Sequence, residues 1–167
     1  NIVNLIEDII SSINPYAKSK NLRIIFDTND EDIVMALDCA KIERVLLNLL
    51  SNAIKFSYVD GIIYVNVNKK EENVIISIRD FGIGMSEKYL DKIFDRFIQV
   101  DNTMTRKNEG SGIGLSIVKS FVSLHNGSIS VKSKENEGSE FVINLPINLI
   151  EDKELFLYDS EVLDFNI

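Results

Sequence analysis

Two glycine-rich stretches carry the residue types best suited to holding a phosphorylated ligand. The chain has eight glycines, and five of them lie within residues 80–115, at positions 82, 84, 110, 112 and 114. A residue without a Cβ lets the backbone turn tightly and lets a ligand approach main-chain N–H groups. The second stretch opens into an apolar helical pattern, and the N–H groups at a helix N-terminus attract phosphate. These stretches predict a nucleotide site, with the polar segment from Gln99 to Glu109 as its lid.

A polar stripe on one predicted helix offers further ligands for a nucleotide. Arg44, Asn48, Asn52 and Lys55 follow one another at spacings of four, four and three residues, so they share one helix face. Amide oxygens can bind a hard cation and an ammonium group balances phosphate charge, so the stripe suits a magnesium triphosphate. Taken alone, the stripe fits an ordinary solvated helix face equally well.

Asp80 follows a predicted core strand and directly precedes Gly82 and Gly84. A carboxylate there can accept a hydrogen bond from the exocyclic amine of adenine, while the glycines let the ring lie flat against the backbone. By itself, an aspartate that caps a turn explains this residue more simply. The glycines at 110–114 form neither a P-loop, because Lys119 lies too far into the helix, nor a good Rossmann fingerprint, because a polar loop precedes them.

The periodicity of apolar residues predicts the elements that must position these groups. Helices are predicted at 1–18, 39–56, 86–94 and 111–124, and Asp38 is predicted to cap the second of them. Strands are predicted at 22–27, 33–37, 62–68, 74–79, 128–133 and 140–145. This order predicts a two-layer α/β (α+β) sandwich, with a mixed, mainly antiparallel sheet of about five strands and three main helices on one face.

Length and composition exclude several functional classes. The 167 residues, 45% hydrophobic and 26% charged, describe one globular domain. A net charge of -8 argues against nucleic acid as a partner. A single cysteine, Cys39, fits a reducing compartment, and no apolar run has the length of a membrane span. We therefore expect a cytoplasmic domain without direct membrane contact. Because the chain starts at Asn1 inside a helical pattern, we also expect it to be cut from a longer protein, for which a membrane anchor stays open.

Four short motifs resemble, in the same order, the N, G1, F and G2 boxes of sensor histidine kinases. They are Asn48-Leu-Leu-Ser-Asn52-Ala-Ile-Lys55-Phe56, Asp80-Phe-Gly-Ile-Gly84, Phe94-Asp-Arg-Phe97 and Gly110-Ser-Gly-Ile-Gly-Leu115. The closing hairpin of that family resembles His125-Asn-Gly127 and Gly138-Ser-Glu-Phe141. The resemblance covers residues 1–147 and implies the catalytic ATP-binding domain of the GHKL superfamily, which has the Bergerat fold.

The resemblance also implies roles for individual residues around ATP and Mg²⁺. Asn52 would hold the Mg²⁺ that bridges the phosphates, Asn48 and Lys55 would contact phosphate or metal-bound water, and Phe56 would pack near the nucleotide. Asp80 would bind the adenine amine. Gly82 and Gly84 would make room for the base, and Ser139 stands where the family often has threonine. The segment that anchors the lid at the phosphates supplies the remaining implied nucleotide-binding residues: Gly110, Gly112, Ile113, Gly114 and Leu115.

Two further sets of residues are assigned only through the resemblance. Phe94 and Phe97 resemble the hydrophobic hinge that couples the lid to a partner domain. Arg106 or Lys107 in the lid could reach the γ-phosphate.

Asn48 favours phosphoryl transfer over ATP hydrolysis. The hydrolytic branches of the superfamily carry a glutamate on this turn of the helix, and an amide cannot act as a general base. With Asn48, Asn52 and Lys55 as its catalytic residues, the domain is expected to transfer phosphate to a histidine on a dimerisation and phosphoacceptor domain outside this chain, with a response regulator downstream. The one histidine here, His125, is expected to make a helix-end contact instead. The alternatives are a nucleotide-dependent protein-binding module of the anti-sigma type and a degenerate scaffold.

The sequence therefore divides into two parts. Residues 1–148 are predicted to form the catalytic ATP-binding domain, in which helix 1–18 would follow the missing dimerisation hairpin. Residues 149–167 form an acidic C-terminal extension that the family pattern does not explain.

Overall fold

A computed structural model describes residues 1–98 and 112–149 of the chain. Three α-helices lie within these ranges: α1 (Ile2–Ser19), α2 (Cys39–Phe56) and α3 (Gly114–Leu124). They alternate with five strands: β1 (Arg23–Thr28), β2 (Ile62–Lys70), β3 (Asn73–Asp80), β4 (Ser128–Lys134) and β5 (Gly138–Pro146). None of the helices in the described ranges is long and apolar enough to cross a membrane.

The five strands form one sheet in the order β1-β2-β3-β5-β4. Strand β1 pairs with β2 in parallel, with Ile24 opposite Ile63, and every other pairing is antiparallel. The predicted mixed, mainly antiparallel sheet is confirmed. In this register Asp80 at the end of β3 lies opposite Ser139 near the start of β5.

One face of the sheet carries the core. Alternate residues of β2 and β3, among them Ile63, Val65 and Ile76, are fully buried, while Tyr64 and Asn66 between them remain partly exposed. The three helices contribute their apolar stripes to the same core. This arrangement confirms the predicted sandwich and places the end of α2 beside the end of β3.

Helix α2 has the bounds that the sequence predicts. Asp38 caps it, with its side chain accepting a hydrogen bond from the Lys41 N–H at 3.0 Å. Seven apolar residues of the helix are buried at helical spacing: Ile42, Val45, Leu46, Leu49, Leu50, Ala53 and Ile54. Burial of this stripe fixes which way the polar residues of the same helix face.

Two predicted elements are wrong. Residues 33–37 form no strand. The Ile33 carbonyl accepts a hydrogen bond from the Ile2 N–H, and the Ala36 N–H donates to the Asn148 carbonyl. The segment therefore bonds to two different partners and does not pair along one neighbouring strand. The helix predicted at 86–94 is only a 3₁₀ turn, Glu87–Tyr89, followed by further turns. Ser86 makes no capping hydrogen bond there, so the turn lacks the start signal that its sequence suggests.

Several predictions fall outside the described residues. These are the lid at 99–109 with Arg106 and Lys107, Gly110, the predicted start of the last helix at Ser111, and all of the acidic extension beyond Leu149. They stay predictions.

Replacing a buried leucine of α2 should destabilise the domain. Leu46→Ala removes a side chain that is 1% exposed, and we expect the free energy of unfolding to fall by about 2–5 kcal/mol. The matched control is Leu124→Ala in α3, where the side chain is 66% exposed and a change within about 0.5 kcal/mol is expected. Chemical denaturation measures both, and equal losses in the two variants would contradict the assigned core.

Candidate functional site

A corner of the fold brings the end of β3 against the end of α2. A Cβ at Gly82 would lie 1.9 Å from the Phe56 carbonyl oxygen, and the same oxygen accepts a hydrogen bond from the Ile83 N–H at 3.1 Å. Only a residue without a side chain permits this approach. We call the surroundings of this contact, residues 80–84 with Phe56 and the facing hairpin residues 133–139, the Asp80 corner.

The β4–β5 hairpin closes the other side of the Asp80 corner by the same means. A Cβ at Gly84, whose φ is +61°, would lie 1.9 Å from the Lys134 carbonyl oxygen. A Cβ at Gly138, whose φ is +93°, would lie 2.1 Å from the Asp80 carbonyl oxygen. These backbone contacts alone explain why glycine is required at these positions, even when no ligand is bound. That Gly82 and Gly84 also make room for a base stays a prediction.

The Asp80 carboxyl group is buried at this corner. The residue is 5% exposed, and Oδ1 accepts a hydrogen bond from the Gly82 N–H at 2.9 Å. Burial raises the pKa of Asp80 to about 6, although the backbone N–H groups of Gly82 and Ser139 act in the opposite direction. The aspartate therefore caps the turn through its bond to Gly82, as the simpler sequence interpretation predicts, and it is at the same time a buried acceptor whose pKa lies just below neutral pH.

Two serine hydroxyls lie next to Asp80 at the base of the hairpin. The Ser133 hydroxyl donates to the Gly138 carbonyl at 2.8 Å and accepts from the Met85 N–H at 2.8 Å. Since its proton is already used, the 2.9 Å contact between the two hydroxyls has Ser139 as its donor. Sequence reasoning selected Ser139 and missed Ser133, which a correct register for β4 and β5 would have placed opposite it.

The polar face of α2 meets the start of α3. The Asn48 side-chain amide donates to the Arg44 carbonyl at 2.7 Å, and its Oδ1 is close enough to Gly114 that a Cβ there would approach it to 2.7 Å. Asn48 and Gly114, predicted to serve one site, are thus in contact. Asn52 and Phe56 are half-buried on the same helix, and the Lys55 ammonium lies 5.1 Å from the centre of the Phe56 ring.

The start of α3 has the properties of an anion-binding helix end. The preceding residue is Ile113, whose side chain has no group that could cap the first N–H groups of the helix. Gly112 has a φ of +67°, and its carbonyl accepts from the Phe97 N–H at 2.9 Å. Leu115 is half-buried, and Phe97 is 73% exposed at a φ of 67°.

The described residues thus group most of the predicted site into two parts, and α2 contributes to both. One part is the Asp80 corner, which includes Phe56 at the end of α2. The other part is the contact between Asn48, earlier on α2, and Gly114 at the start of α3. Within 1–98 and 112–149, no three His, Cys, Asp or Glu side chains are placed to share a metal ion. The donors that α2 offers to a cation are amide oxygens, which suit Mg²⁺ when phosphates supply its remaining ligands.

Comparison with known proteins identifies what this arrangement resembles. Residues 38–149 match the family described as histidine kinase-, DNA gyrase B-, and HSP90-like ATPase. The chain is 36% identical to histidine kinase P4 of Formosa agariphila, over all of this chain and 12% of that protein. It is 40% identical to the sensor histidine kinase WalK of Bacillus subtilis, over 77% of this chain and 21% of that protein. The chain therefore spans only about an eighth to a fifth of the length of these curated relatives.

Solved structures show the same fold. The nucleotide-free catalytic domain of histidine kinase ThkA superposes with a TM-score of 0.78 at 27% identity, covering 89% of this chain and 96% of that one. ThkA in complex with the response regulator protein TrrA gives a TM-score of 0.75 at 25% identity, covering 89% of this chain and 41% of that one.

The buried carboxylate should make the fold less stable at neutral pH than an amide would. In the folded chain the pKa of Asp80 is raised from 3.8 to about 6, so the proton is bound more tightly than in the unfolded chain. The contribution of this group to the free energy of unfolding is therefore largest below pH 3.8. It falls as the pH rises through about 6, by about 3 kcal/mol in all. We expect Asp80→Asn to raise the free energy of unfolding at pH 7.5 and to change it little at pH 4.

Urea denaturation of both proteins at the two pH values measures this difference. A difference between Asp80→Asn and the wild type that is the same at pH 4 and pH 7.5 would contradict the raised pKa.

Proposed function

The chain belongs to the family of histidine kinase-, DNA gyrase B- and HSP90-like ATPases, and from this membership we propose that it binds Mg-ATP and presents the γ-phosphoryl group to a histidine on a separate acceptor domain. The observation that carries the proposal is the Asp80 corner, where a buried acceptor lies at the end of a strand. The second part of the site is an uncapped helix N-terminus that meets the Asn48 amide of α2.

Asp80 would select adenine by accepting a hydrogen bond from its exocyclic amine. A buried carboxylate discriminates strongly, because a ligand without the donor leaves the charge unpaired away from water. The hydroxyl of Ser139, next to Asp80, would support the same ring. Phe56, half-buried at the end of α2, would pack against the nucleotide.

The phosphates would lie at the start of α3. Gly114, the first residue of that helix, lies against Asn48 Oδ1, and the helix dipole favours negative charge there. Lys55 would balance part of the phosphate charge. When bound, Mg²⁺ would neutralise the phosphates, and Asn52 is the residue proposed to hold it.

The side chains of this site position the reactants and do not activate water. Asn48 is an amide already committed as a donor to the Arg44 carbonyl, and it cannot accept a proton from a nucleophile. The acceptor imidazole would supply the electron pair for the new P–N bond as the bond from the γ-phosphorus to the ADP oxygen breaks. A neighbouring group of the acceptor domain would take the proton. Catalysis would then consist of alignment and charge neutralisation.

The relatives favour this function over the anti-sigma alternative. The relatives from Formosa agariphila and Bacillus subtilis are named histidine kinases, and one structure of ThkA contains a response regulator. We propose that the parent protein supplies the phosphoacceptor and dimerisation domain, and that a response regulator receives the phosphoryl group. The domain alone is proposed to be monomeric and to work in the cytoplasm.

The preference for adenine over hypoxanthine should depend chiefly on Asp80. Calorimetry at pH 7.5 should show that the wild type binds Mg-ATP at least about 100-fold more tightly than Mg-ITP, in which a carbonyl replaces the amine. In Asp80→Asn that preference should shrink to within about tenfold, because an amide can either accept from an amine or donate to a carbonyl. Unfolding in urea serves as the control that the variant is folded. An unchanged preference in Asp80→Asn would contradict the adenine assignment.

Phosphoryl transfer should require both this chain and an acceptor. With Mg-ATP labelled at the γ-phosphate, the chain alone should gain no stable label, whereas the phosphoacceptor domain of the parent protein should become labelled when it is added. Asn52→Ala should abolish this transfer and leave the affinity for adenosine within about twofold, because adenosine has no phosphate to bridge. Label that stays on the isolated chain, or full transfer by Asn52→Ala, would contradict the proposed roles.

A further inference from the structure

One imidazole joins α2 and α3 at the ends of these helices that lie away from the candidate site. His125 Nε2 accepts a hydrogen bond from the Asp38 N–H at 3.0 Å, and its Nδ1 lies 2.8 Å from the Phe121 carbonyl oxygen. A carbonyl oxygen only accepts and a backbone N–H only donates. Both contacts are satisfied together only by a neutral imidazole that carries its proton on Nδ1.

Each of the two residues in this contact lies next to the terminus of a helix. Asp38 caps the N-terminus of α2, and His125 follows the last residue of α3, where its own N–H donates to the Val122 carbonyl. The imidazole therefore connects the N-terminus of one helix to the C-terminus of the other. Phe121 is only four residues from His125, so the contact with its carbonyl lies within one helix turn. The bond to Asp38 joins residues that are 87 positions apart, so it is a tertiary contact.

In the candidate site, the start of α3 meets the middle of α2. There Asn48 Oδ1 lies against Gly114. Asp38 and Asn48 are ten residues apart along α2, and Gly114 and His125 are eleven residues apart along α3. At 1.5 Å per helical residue these separations are about 15 and 16 Å, so the two contacts stand opposite each other along an antiparallel pair.

We propose that His125 is a positioning residue for the nucleotide site, an inference that rests on the proposed function. By holding α3 in register with α2 at one end, it sets where the N–H groups after Gly112 stand relative to Asn48 and Asn52 at the other end. Without it, α3 keeps its apolar contacts to the core but gains freedom to slide or turn. The phosphates then meet their donors less often in the binding geometry.

Three variants separate positioning from general stability. His125→Ala removes both side-chain hydrogen bonds. His125→Gln keeps an acceptor near the place of Nε2. Asn29→Ala is the matched control, because Asn29 also makes two side-chain bonds to backbone, at 3.1 and 2.8 Å to Lys69, at the β1–β2 edge of the sheet.

Calorimetry with Mg-ATP at pH 7.5 and urea denaturation are measured for all four proteins. We expect His125→Ala to weaken Mg-ATP binding about tenfold, His125→Gln to bind within about threefold of the wild type, and Asn29→Ala to lose stability without losing affinity. In the wild type, the two-bond ¹H–¹⁵N spectrum of the imidazole should show the proton on Nδ1, a readout that does not depend on any variant folding.

Three results would overturn this inference alone: Mg-ATP affinity that is unchanged in His125→Ala, an equal loss of affinity in Asn29→Ala, or an imidazole protonated on Nε2. Failure of the wild type to bind Mg-ATP at all would overturn the proposed function as well.

Discussion

The Asp80 corner depends on three backbone contacts that leave no space for a side chain. Gly82 lies against the Phe56 carbonyl, Gly84 against the Lys134 carbonyl and Gly138 against the Asp80 carbonyl. Together they bring the end of α2, the end of β3 and the β4–β5 hairpin close enough to remove Asp80 from water. If any of these contacts opened, the carboxylate would be hydrated, and a hydrated carboxylate discriminates poorly between ligands because water satisfies it in every complex.

Burial of that carboxylate opposes folding and favours recognition. The fold holds a group whose charged form is disfavoured by its surroundings, and the larger apolar core on the helix-covered face of the sheet offsets this cost. A donor on the ligand would satisfy the same group in the complex. Perturbed ionisable groups concentrate at functional sites for this reason, and the perturbation at Asp80 arises chiefly from desolvation.

The sequence predicts elements well where one local signal and one burial pattern agree. Helix α2 begins and ends as predicted because Asp38 supplies a cap and seven apolar residues form a continuous stripe. Residues 33–37 alternate like a strand, but their hydrogen-bond partners are Ile2 and Asn148, which no local pattern reveals. Asp80, Asn48 and Gly114, which the motifs selected, each lie next to another predicted site residue, while their roles stay predictions. Ser133 was missed, because its contact with Ser139 depends on strand register. The backbone partners of the glycines and the bond from His125 to Asp38 likewise depend on tertiary packing, which a sequence pattern does not contain.

The measurement that tests the central claim most directly is a pair of NMR titrations of the ¹⁵N-labelled chain at pH 7.5, one with adenosine and one with Mg-ATP. Adenosine should shift the amides of residues 80–84 and 138–139 at the Asp80 corner, and the phosphates of Mg-ATP should add shifts at 112–117 and along the polar face of α2. Shifts from adenosine that cluster on the exposed face of the sheet, or that leave the amides of Asp80 and Gly82 unmoved, would contradict the account.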